Sequence, residues 1–465
     1  MFITILDLVL SNNEILTEIL TFNMFHMLFN TSKSVSNVFL ETNPFIKISF
    51  NRNSFYPKTF FEFKIMNTIK INFLKLEDCI PSSQKYFDKV EELIGRHCNT
   101  LIHLDLSCNS IVTKNLAKVL LQCTTLKHLD LKFNRIKSDD VSDLASVIYN
   151  LTSLEHLDLS DNEINEGGIG LIGALTNLKS LDLSYNCFED LEIYEDLGKC
   201  TKLIHLNIAS TNINIKSVVK ALSSLTTLAS LNINGNRFNV EESVILYGIL
   251  KNYRNLTHLD LSNSYMNEVG VTSFFKVLNN CIGIKHLNLE SNYIRSEGLT
   301  LLAEVLGQCT ALTHLNLSNN NIEADGIASL ASALVYPKCH NLALTYLDLS
   351  CNYVCSYGAE KLVSVLISPQ CFSLSHLDLC NTRIGPNGAL SFLKVLTENH
   401  NLPLVHLNLC NNNIGLVMVN NIKSAQEQCS PLLSIDLSYN EEIEEIEEIE
   451  EIEEIEEIEQ NYNTN

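Results

Sequence analysis

The sequence predicts an α/β solenoid, in which short parallel strands form one sheet and a helix follows each strand. A nine-residue pattern, Leu-x-x-Leu-x-Leu-x-x-Asn, first occurs clearly at Leu101–Asn109 and has thirteen copies up to Asn440. The copies start 24 to 32 residues apart, most often 28, and apolar residues at helical spacing lie between them. A period of this length is typical of stacked repeats, because a single repeat cannot bury its apolar face alone.

Each repeat begins with a strand whose side chains alternate between two faces. The Leu residues therefore point to the core, while the third, fifth and seventh positions of the pattern point outwards. The following stretch is clearest at Ile294–Leu306, where the apolar residues recur every three or four positions and predict an amphipathic helix. The Asn at the ninth position both donates and accepts hydrogen bonds, so we expect it to satisfy backbone groups where the strand ends.

One strand and one helix in about 28 residues resembles the ribonuclease-inhibitor type of leucine-rich repeat, over about 85% of the chain. The resemblance implies a horseshoe-shaped solenoid with the parallel sheet on the concave face and the helices on the convex face. It also implies that a protein partner binds on the concave face. The expected function is therefore a non-enzymatic scaffold for protein–protein interaction, which needs no cofactor.

The pattern divides the chain into four parts. Residues 1–44 form a helical N-terminal cap or another helical segment, and residues 45–100 hold degenerate leading repeats. Residues 101–440 form the solenoid of thirteen repeats. Residues 441–465 are an acidic low-complexity tail of Glu-Glu-Ile units, in which no single apolar face forms on a helix.

The N-terminal part contains Glu14-Ile-Leu-Thr-Glu-Ile-Leu and, further on, Val35-Ser-Asn-Val-Phe39. This arrangement resembles an F-box, a segment that binds the adaptor of a cullin-type ubiquitin ligase. Ser11 stands where that family has Pro, and the late Trp is missing because the chain has no Trp. If the similarity reflects function, the chain is a substrate receptor of such a ligase; otherwise the segment caps the first repeat. The matching residues are Glu14, Ile15, Leu16, Ile19, Leu20, Val35 and Phe39.

The net charge limits the kinds of partner that the chain can have, and the cysteine content indicates its cellular compartment. The net charge is −22, and the tail holds 13 Glu without Lys, Arg or Asp, which leaves −9 for the rest. This balance argues against nucleic acid as the main partner, and no stretch predicts a membrane span. Seven of the 15 cysteines share the position three residues before a repeat, which favours buried thiols in a reducing cytoplasm, including that of a host cell. They are Cys98, Cys123, Cys200, Cys281, Cys309, Cys371 and Cys429.

The third position of the pattern forms a column of histidines beside Asp and Asn at the fifth position. Three interpretations remain open: a duplicated packing residue, a partner-binding surface that responds to pH between 5 and 7, and a metal site. A zinc site is disfavoured because His376 and Cys380 lie four strand residues apart, or about 13 Å, as do His406 and Cys410. The column contains His103, His128, His156, His205, His258, His286, His314, His376 and His406.

Just after the Asn position, the chain places residue types that often anchor interfaces. Consecutive repeats contribute Tyr265 and Tyr293, which we expect to be the first contacts of a partner. No Gly-rich phosphate loop or nucleophile–base pair is found, so an enzyme is not expected. One further alternative is a GTPase-activating protein for Ran, a family that also joins such repeats to an acidic tail. The predicted edge residues are Arg135, Arg237, Tyr265, Tyr293, Tyr353 and Arg383.

Overall fold

The computed structural model describes residues 46–50, 70–78 and most of 84–440. The F-box-like residues between Glu14 and Phe39 and the tail at 441–465 lie outside the described residues, so both assignments stay predictions. Within 84–440 the description leaves out residues 112, 138, 141–143, 145–146, 148, 166–171, 189–196, 214, 267, 279–280, 336–341, 369–372, 399–401 and 430–432.

The chain divides into two compact units. The first comprises Met1–Arg237 with Asn252–Leu256, and the second comprises Phe238–Lys251 with Thr257–Asn465. We describe each unit by itself.

The first unit alternates short strands with helices. Its described helices are α1 (Gln84–His97), α2 (Thr113–Leu120) and α3 (Ile215–Ser224), and a 3₁₀ turn covers Ile172–Ala174. Its described strands are β1 (Ile46–Phe50), β2 (Ile71–Leu76), β3 (His103–Asp105), β4 (His128–Asp130), β5 (His156–Asp158), β6 (Ser180–Asp182), β7 (His205–Asn207) and β8 (Ser230–Asn232).

The second unit has the same alternation with more regular helices. Its described strands are β9 (His258–Asp260), β10 (His286–Asn288), β11 (His314–Asn316), β12 (Tyr346–Asp348), β13 (His376–Asp378), β14 (His406–Asn408) and β15 (Ser434–Asp436). Its described helices are α4 (Val240–Leu250), α5 (Glu268–Leu278), α6 (Arg295–Leu306), α7 (Ala324–Val335), α8 (Cys355–Leu366), α9 (Gly385–Glu398) and α10 (Leu416–Gln426).

Within each unit, every described strand pairs in parallel with the next strand of the sequence. The register matches repeat to repeat, so His286 pairs with His258 on one side and His314 on the other. Parallel strands joined by helices are the α/β solenoid that the sequence predicted, and the fold-class prediction is confirmed.

The core lies between the sheet and the helices of each unit. The Leu at the middle of each short strand is buried, for example Leu287 and Leu315. The predicted helix at 294–306 is observed as α6, which buries Leu299, Leu302 and Leu306. Burying a Leu side chain stabilises the fold by about 1.5–3 kcal/mol, so this repeated Leu pattern is the main driving force for stacking.

A buried column of Asn side chains ties consecutive repeats together. Asn320 donates to the carbonyl oxygens of Leu289, Leu317 and Ser318 at 2.8–3.0 Å. Its Oδ1 accepts hydrogen bonds from the backbone N–H groups of Asn292 and Ile294. The amide therefore satisfies backbone groups of two repeats at once, as expected from the sequence.

The cysteines that precede the repeats are mostly buried. Cys98, Cys123, Cys200, Cys281 and Cys309 are buried free thiols, and Cys429 is partly exposed. Burial raises the pKa of Cys123 to about 12, so this thiol is protonated at neutral pH. Cys371 lies outside the described residues.

Candidate partner-binding surface

The third, fifth and seventh positions of the repeats lie on one face of the sheet in each unit, and we call this surface the ladder face. In the second unit the ring of His286 stacks on those of His258 and His314, with centroids 4.2 and 4.1 Å apart. In the first unit His128 and His156 stack at 4.1 Å. The structure thus brings the predicted histidines into contact as rows of rings.

The rows also contain aromatic residues that the sequence analysis did not single out. Phe73 stacks on His103 at 4.2 Å, and Tyr346 lies between His314 and His376 in register. Both occupy the third position of their repeats, so the template could have identified them. Ser180 and Ser230 occupy the same position on either side of His205, which separates this ring from the other histidines of the first unit.

Burial disfavours the charged form of several imidazoles. It lowers the pKa of His103 to about 4, and the neighbouring His128 adds to the effect. Burial likewise lowers the pKa of His128, His156, His286 and His314. At pH 7 the neutral form of these five rings is therefore favoured more strongly than in a free imidazole.

In the first unit, carboxylates follow one another at the fifth position, in the order Asp105, Asp130, Asp158 and Asp182. Lys75 forms an ion pair with Asp105 at 2.8 Å, at one end of this row. Burial and the charges of Asp105 and Asp158 raise the pKa of Asp130 to about 6. This row therefore carries unfavourable like-charge contacts.

In the second unit, amides separate several of the carboxylates. The side chain of Asn288 donates to Asp260 at 3.1 Å, and that of Asn408 donates to Asp378 at 2.9 Å. Asp348 and Asp378 remain direct neighbours. Burial and Asp378 raise the pKa of Asp348.

The ladder face also carries a cross-strand disulfide. Cys380 and Cys410 occupy the seventh position of adjacent repeats, with Cα atoms 4.7 Å apart, and their sulfurs are bonded. Neither residue belongs to the set of cysteines for which the sequence predicted buried thiols. Within the described ranges, no group of three or more His, Cys, Asp or Glu residues is placed to hold a metal ion.

The predicted edge residues lie in the loops that follow the strands, and their side chains are exposed. In the second unit they form two pairs: the rings of Tyr265 and Tyr293 lie 5.7 Å apart, and the guanidinium of Arg383 lies 4.7 Å above the ring of Tyr353. Arg135 and Arg237 lie at separate repeats of the first unit.

The backbone at this edge is left-handed in many repeats. The residue after the Asn position has φ between 52° and 55° at Asn212, Asn321 and Asn413, and φ is 55° at Tyr265 and Tyr293. Asn tolerates this conformation, whereas an aromatic residue pays about 1 kcal/mol or more for it. Tyr265 and Tyr293 remain 44% and 49% exposed, so packing offsets little of this cost.

Tyr265 and Tyr293 also line a recess of about 540 Å³. Its apolar lining includes Met266, Val271 and Ile294, and its other lining residues include Arg295 and Glu297. This volume lies within the range of about 300–1,000 Å³ that is typical of ligand pockets in proteins.

No helix in the described part of the chain is both long enough and apolar enough to cross a membrane.

Comparison with known proteins identifies the repeats. A family model described as leucine-rich repeats in two copies matches residues 152–199, and a single leucine-rich-repeat model matches 97–113, 122–145 and 308–331. No curated protein has a sequence similar enough to count as a relative.

Two bacterial proteins are among the solved structures that this chain resembles. An internalin of Listeria monocytogenes is 17% identical with a TM-score of 0.49, over 78% of this chain and 97% of that one. A leucine-rich-repeat protein of Leptospira interrogans is 18% identical with a TM-score of 0.46, over 82% of this chain and 99% of that one.

Proposed function

We propose that this leucine-rich-repeat protein is a non-enzymatic scaffold that binds a protein partner on its ladder face. The observation that carries the proposal is the stacked row His258, His286 and His314 beside Asp260. Aromatic rings with a polar edge, placed next to hydrogen-bonding groups, are typical anchors of protein interfaces.

The rings of this row are held in place before any partner binds. Stacking restrains the rings of this row against one another. A hydroxyl group also restrains two of them: Thr257 Oγ1 lies 2.9 Å from Nδ1 of His258, and Thr313 Oγ1 lies 2.9 Å from Nδ1 of His314. A side chain that is already ordered loses little entropy on binding, which favours affinity.

The test is the affinity for a partner isolated with the full chain from cell extract and then purified. Replacing His258, His286 and His314 together by Ala should weaken binding about tenfold or more, since central interface anchors contribute most of the affinity. The control replaces Ser332, Ser364 and Thr397 by Ala, which are exposed on helices of the same unit. Equal affinities for the two variants would contradict the proposal.

The lowered imidazole pKa values bear on the pH-responsive interpretation of the histidine column. Because burial lowers the pKa of His286 and His314, these rings take up a proton only in more acidic solution than a free imidazole does. We expect the affinity to stay constant between pH 8 and pH 6.5 and to change only in more acidic solution.

The match of Glu14, Ile15, Leu16 and Phe39 to an F-box supports a second candidate, a ubiquitin-ligase substrate receptor. Its test is binding of the ligase adaptor to the full chain, compared with a variant in which Leu16 and Ile19 are replaced by Asp. Loss of adaptor binding in the variant supports the F-box, and no binding by the natural chain favours a cap. The Ran alternative is tested by GTP hydrolysis on Ran.

A further inference from the structure

The Tyr265–Tyr293 recess has walls that differ from the rest of the loop edge. The two rings form one side, and buried Met266, Val271 and Ile294 contribute apolar surface. The equivalent loop position is Asn in three other repeats and Arg at two more with the same left-handed backbone, Arg135 and Arg383. What distinguishes Tyr265 and Tyr293 is that two exposed rings lie side by side over apolar surface, which suits contact with a ligand.

A second tyrosine on the same loop edge contacts a guanidinium group of this chain. Three repeats further along, Arg383 places its guanidinium over the ring of Tyr353. At Tyr265 and Tyr293 the following repeats contribute Tyr293 and Asn321 instead. A guanidinium from outside the chain can occupy the corresponding place, because the electron-rich face of a tyrosine attracts cations.

The local charge also favours a cation. Glu297 lines the recess, and Asp260 and Glu290 lie on the ladder face of the same two repeats. Burial, together with Asp348 and Asp260, raises the pKa of Glu290, which reflects a negative potential there. Arg295 also lines the recess and repels a cation. Replacing Arg295 by a neutral residue therefore tests whether the occupant is positively charged.

We infer that the recess between Tyr265 and Tyr293 holds an arginine side chain of the protein partner. The rings contact the guanidinium, Glu297 pairs with its charge, and the apolar surface contacts its methylene groups. The inference rests on the proposed function and assigns the partner a basic segment.

The experiment uses the full chain and a fluorescent dodecapeptide of four Gly-Arg-Ser units, with anisotropy measured at about 150 mM salt. The double variant Tyr265→Asn, Tyr293→Asn should bind about fivefold or more weakly. The control is Tyr185→Asn in the first unit, where φ is 55° and the ring is 57% exposed. None of these changes alters the net charge, so non-specific attraction stays equal; equal binding by both variants would overturn the inference.

Two further variants test the sign of the charge. Glu297→Gln should weaken binding about threefold and Arg295→Gln should strengthen it about twofold, as expected for a cation near a surface charge. Weaker binding of this cationic peptide by Arg295→Gln would contradict the expected repulsion between Arg295 and a guanidinium in the recess and would overturn the inference. So would equal affinity for a peptide of four Gly-Leu-Ser units, which would indicate an apolar anchor.

Failure of this inference is distinguishable from failure of the proposed function. If the histidine triple variant no longer binds the purified partner while the tyrosine variant still binds it, the proposed scaffold function is supported and the arginine site is contradicted. If the tyrosine variant alone loses the arginine peptide and the histidine variant keeps the partner, the recess stands and the ladder face is not the binding surface. Thermal unfolding of each variant confirms that the fold is intact.

Discussion

The ladder faces of the two units share one backbone plan and differ in their electrostatics. In the first unit Asp105, Asp130 and Asp158 are consecutive neighbours, whereas in the second Asn288 follows Asp260 and donates to it. Replacing one carboxylate oxygen by an NH₂ group turns a repulsion into a hydrogen bond. Because the strands stack in parallel and in register, the electrostatic energy of each fifth-position side chain depends on the fifth-position side chain of the neighbouring repeat.

Among the substitutions considered, we expect the largest loss of stability in the buried Asn column, a feature that the two units share. Asn186 of the first unit donates to the carbonyls of Leu159, Leu183 and Ser184, as Asn320 does to its own set. Replacing either Asn by Ala leaves several buried backbone groups unpaired and should lower the free energy of unfolding by about 3 kcal/mol or more. Urea unfolding measures the loss, and hydrogen exchange shows which repeats open.

The matched control for this prediction is Asn→Thr at the same two positions. Thr211 occupies the slot naturally and donates to the carbonyl of Ile208 at 2.7 Å, so Thr should retain part of the stability. Similar losses for Ala and Thr would show that the column contributes through packing rather than through hydrogen bonds.

A second difference is the disulfide between Cys380 and Cys410, which occupy the seventh position of two adjacent repeats in the second unit, where many repeats of both units have Ser. The bond closes a loop with a sequence separation of 30. Loop-closure entropy predicts that a reductant lowers the unfolding free energy of the second unit by about 2–4 kcal/mol. Hydrogen exchange with and without reductant measures it, and Cys351→Ser is the control; equal changes in both units would contradict this expectation.

The consecutive carboxylates of the first unit predict a pH dependence of stability, as does the Asp348–Asp378 pair of the second unit. The folded pKa of Asp130 is raised from 3.8 to about 6, so the folded state holds this proton more tightly than the unfolded chain does. This contribution to stability is present below pH 4 and is lost as the pH rises through 6. Solvent screening of the half-buried group limits the effect to the order of 1 kcal/mol.

Reciprocal substitutions test this difference between the units. Asp130→Asn should stabilise the chain at pH 7.5 but not at pH 4, because an amide can donate to the neighbouring carboxylates. Asn288→Asp should have the opposite effect, since it places a carboxylate beside Asp260. Unfolding curves at the two pH values measure both, and equal shifts at pH 4 and 7.5 would rule out the electrostatic cause.

The smallest effect is expected at the loop edge. Replacing Tyr265 and Tyr293 by Asn removes aromatic residues from a left-handed backbone, so stability should stay equal or rise by about 1 kcal/mol. The same unfolding assay measures this change. A clear loss would show that the rings support the fold, which would weaken their assignment to binding.

Much of the candidate surface could be predicted from single columns of the repeat. The third-position histidines and the edge residues Tyr265 and Tyr293 lie in contact along their columns because one repeat register is kept. The Cys380–Cys410 bond is not among the sequence predictions, although both residues occupy the seventh position of adjacent repeats. The pKa of Asp130 could not be predicted either, because it depends on burial and on neighbours 25 and 28 residues away in sequence.

The sequence by itself determined which residues face the core and which face outwards, because strand alternation and the Leu period are local properties of the chain. The tertiary structure alone decided which outward residues meet. Asn288 bonds Asp260, Arg383 covers Tyr353, and Tyr265 meets Tyr293 over an apolar recess. These contacts join residues about one repeat apart, so they exist only after stacking brings neighbouring strands to within about 4.8 Å.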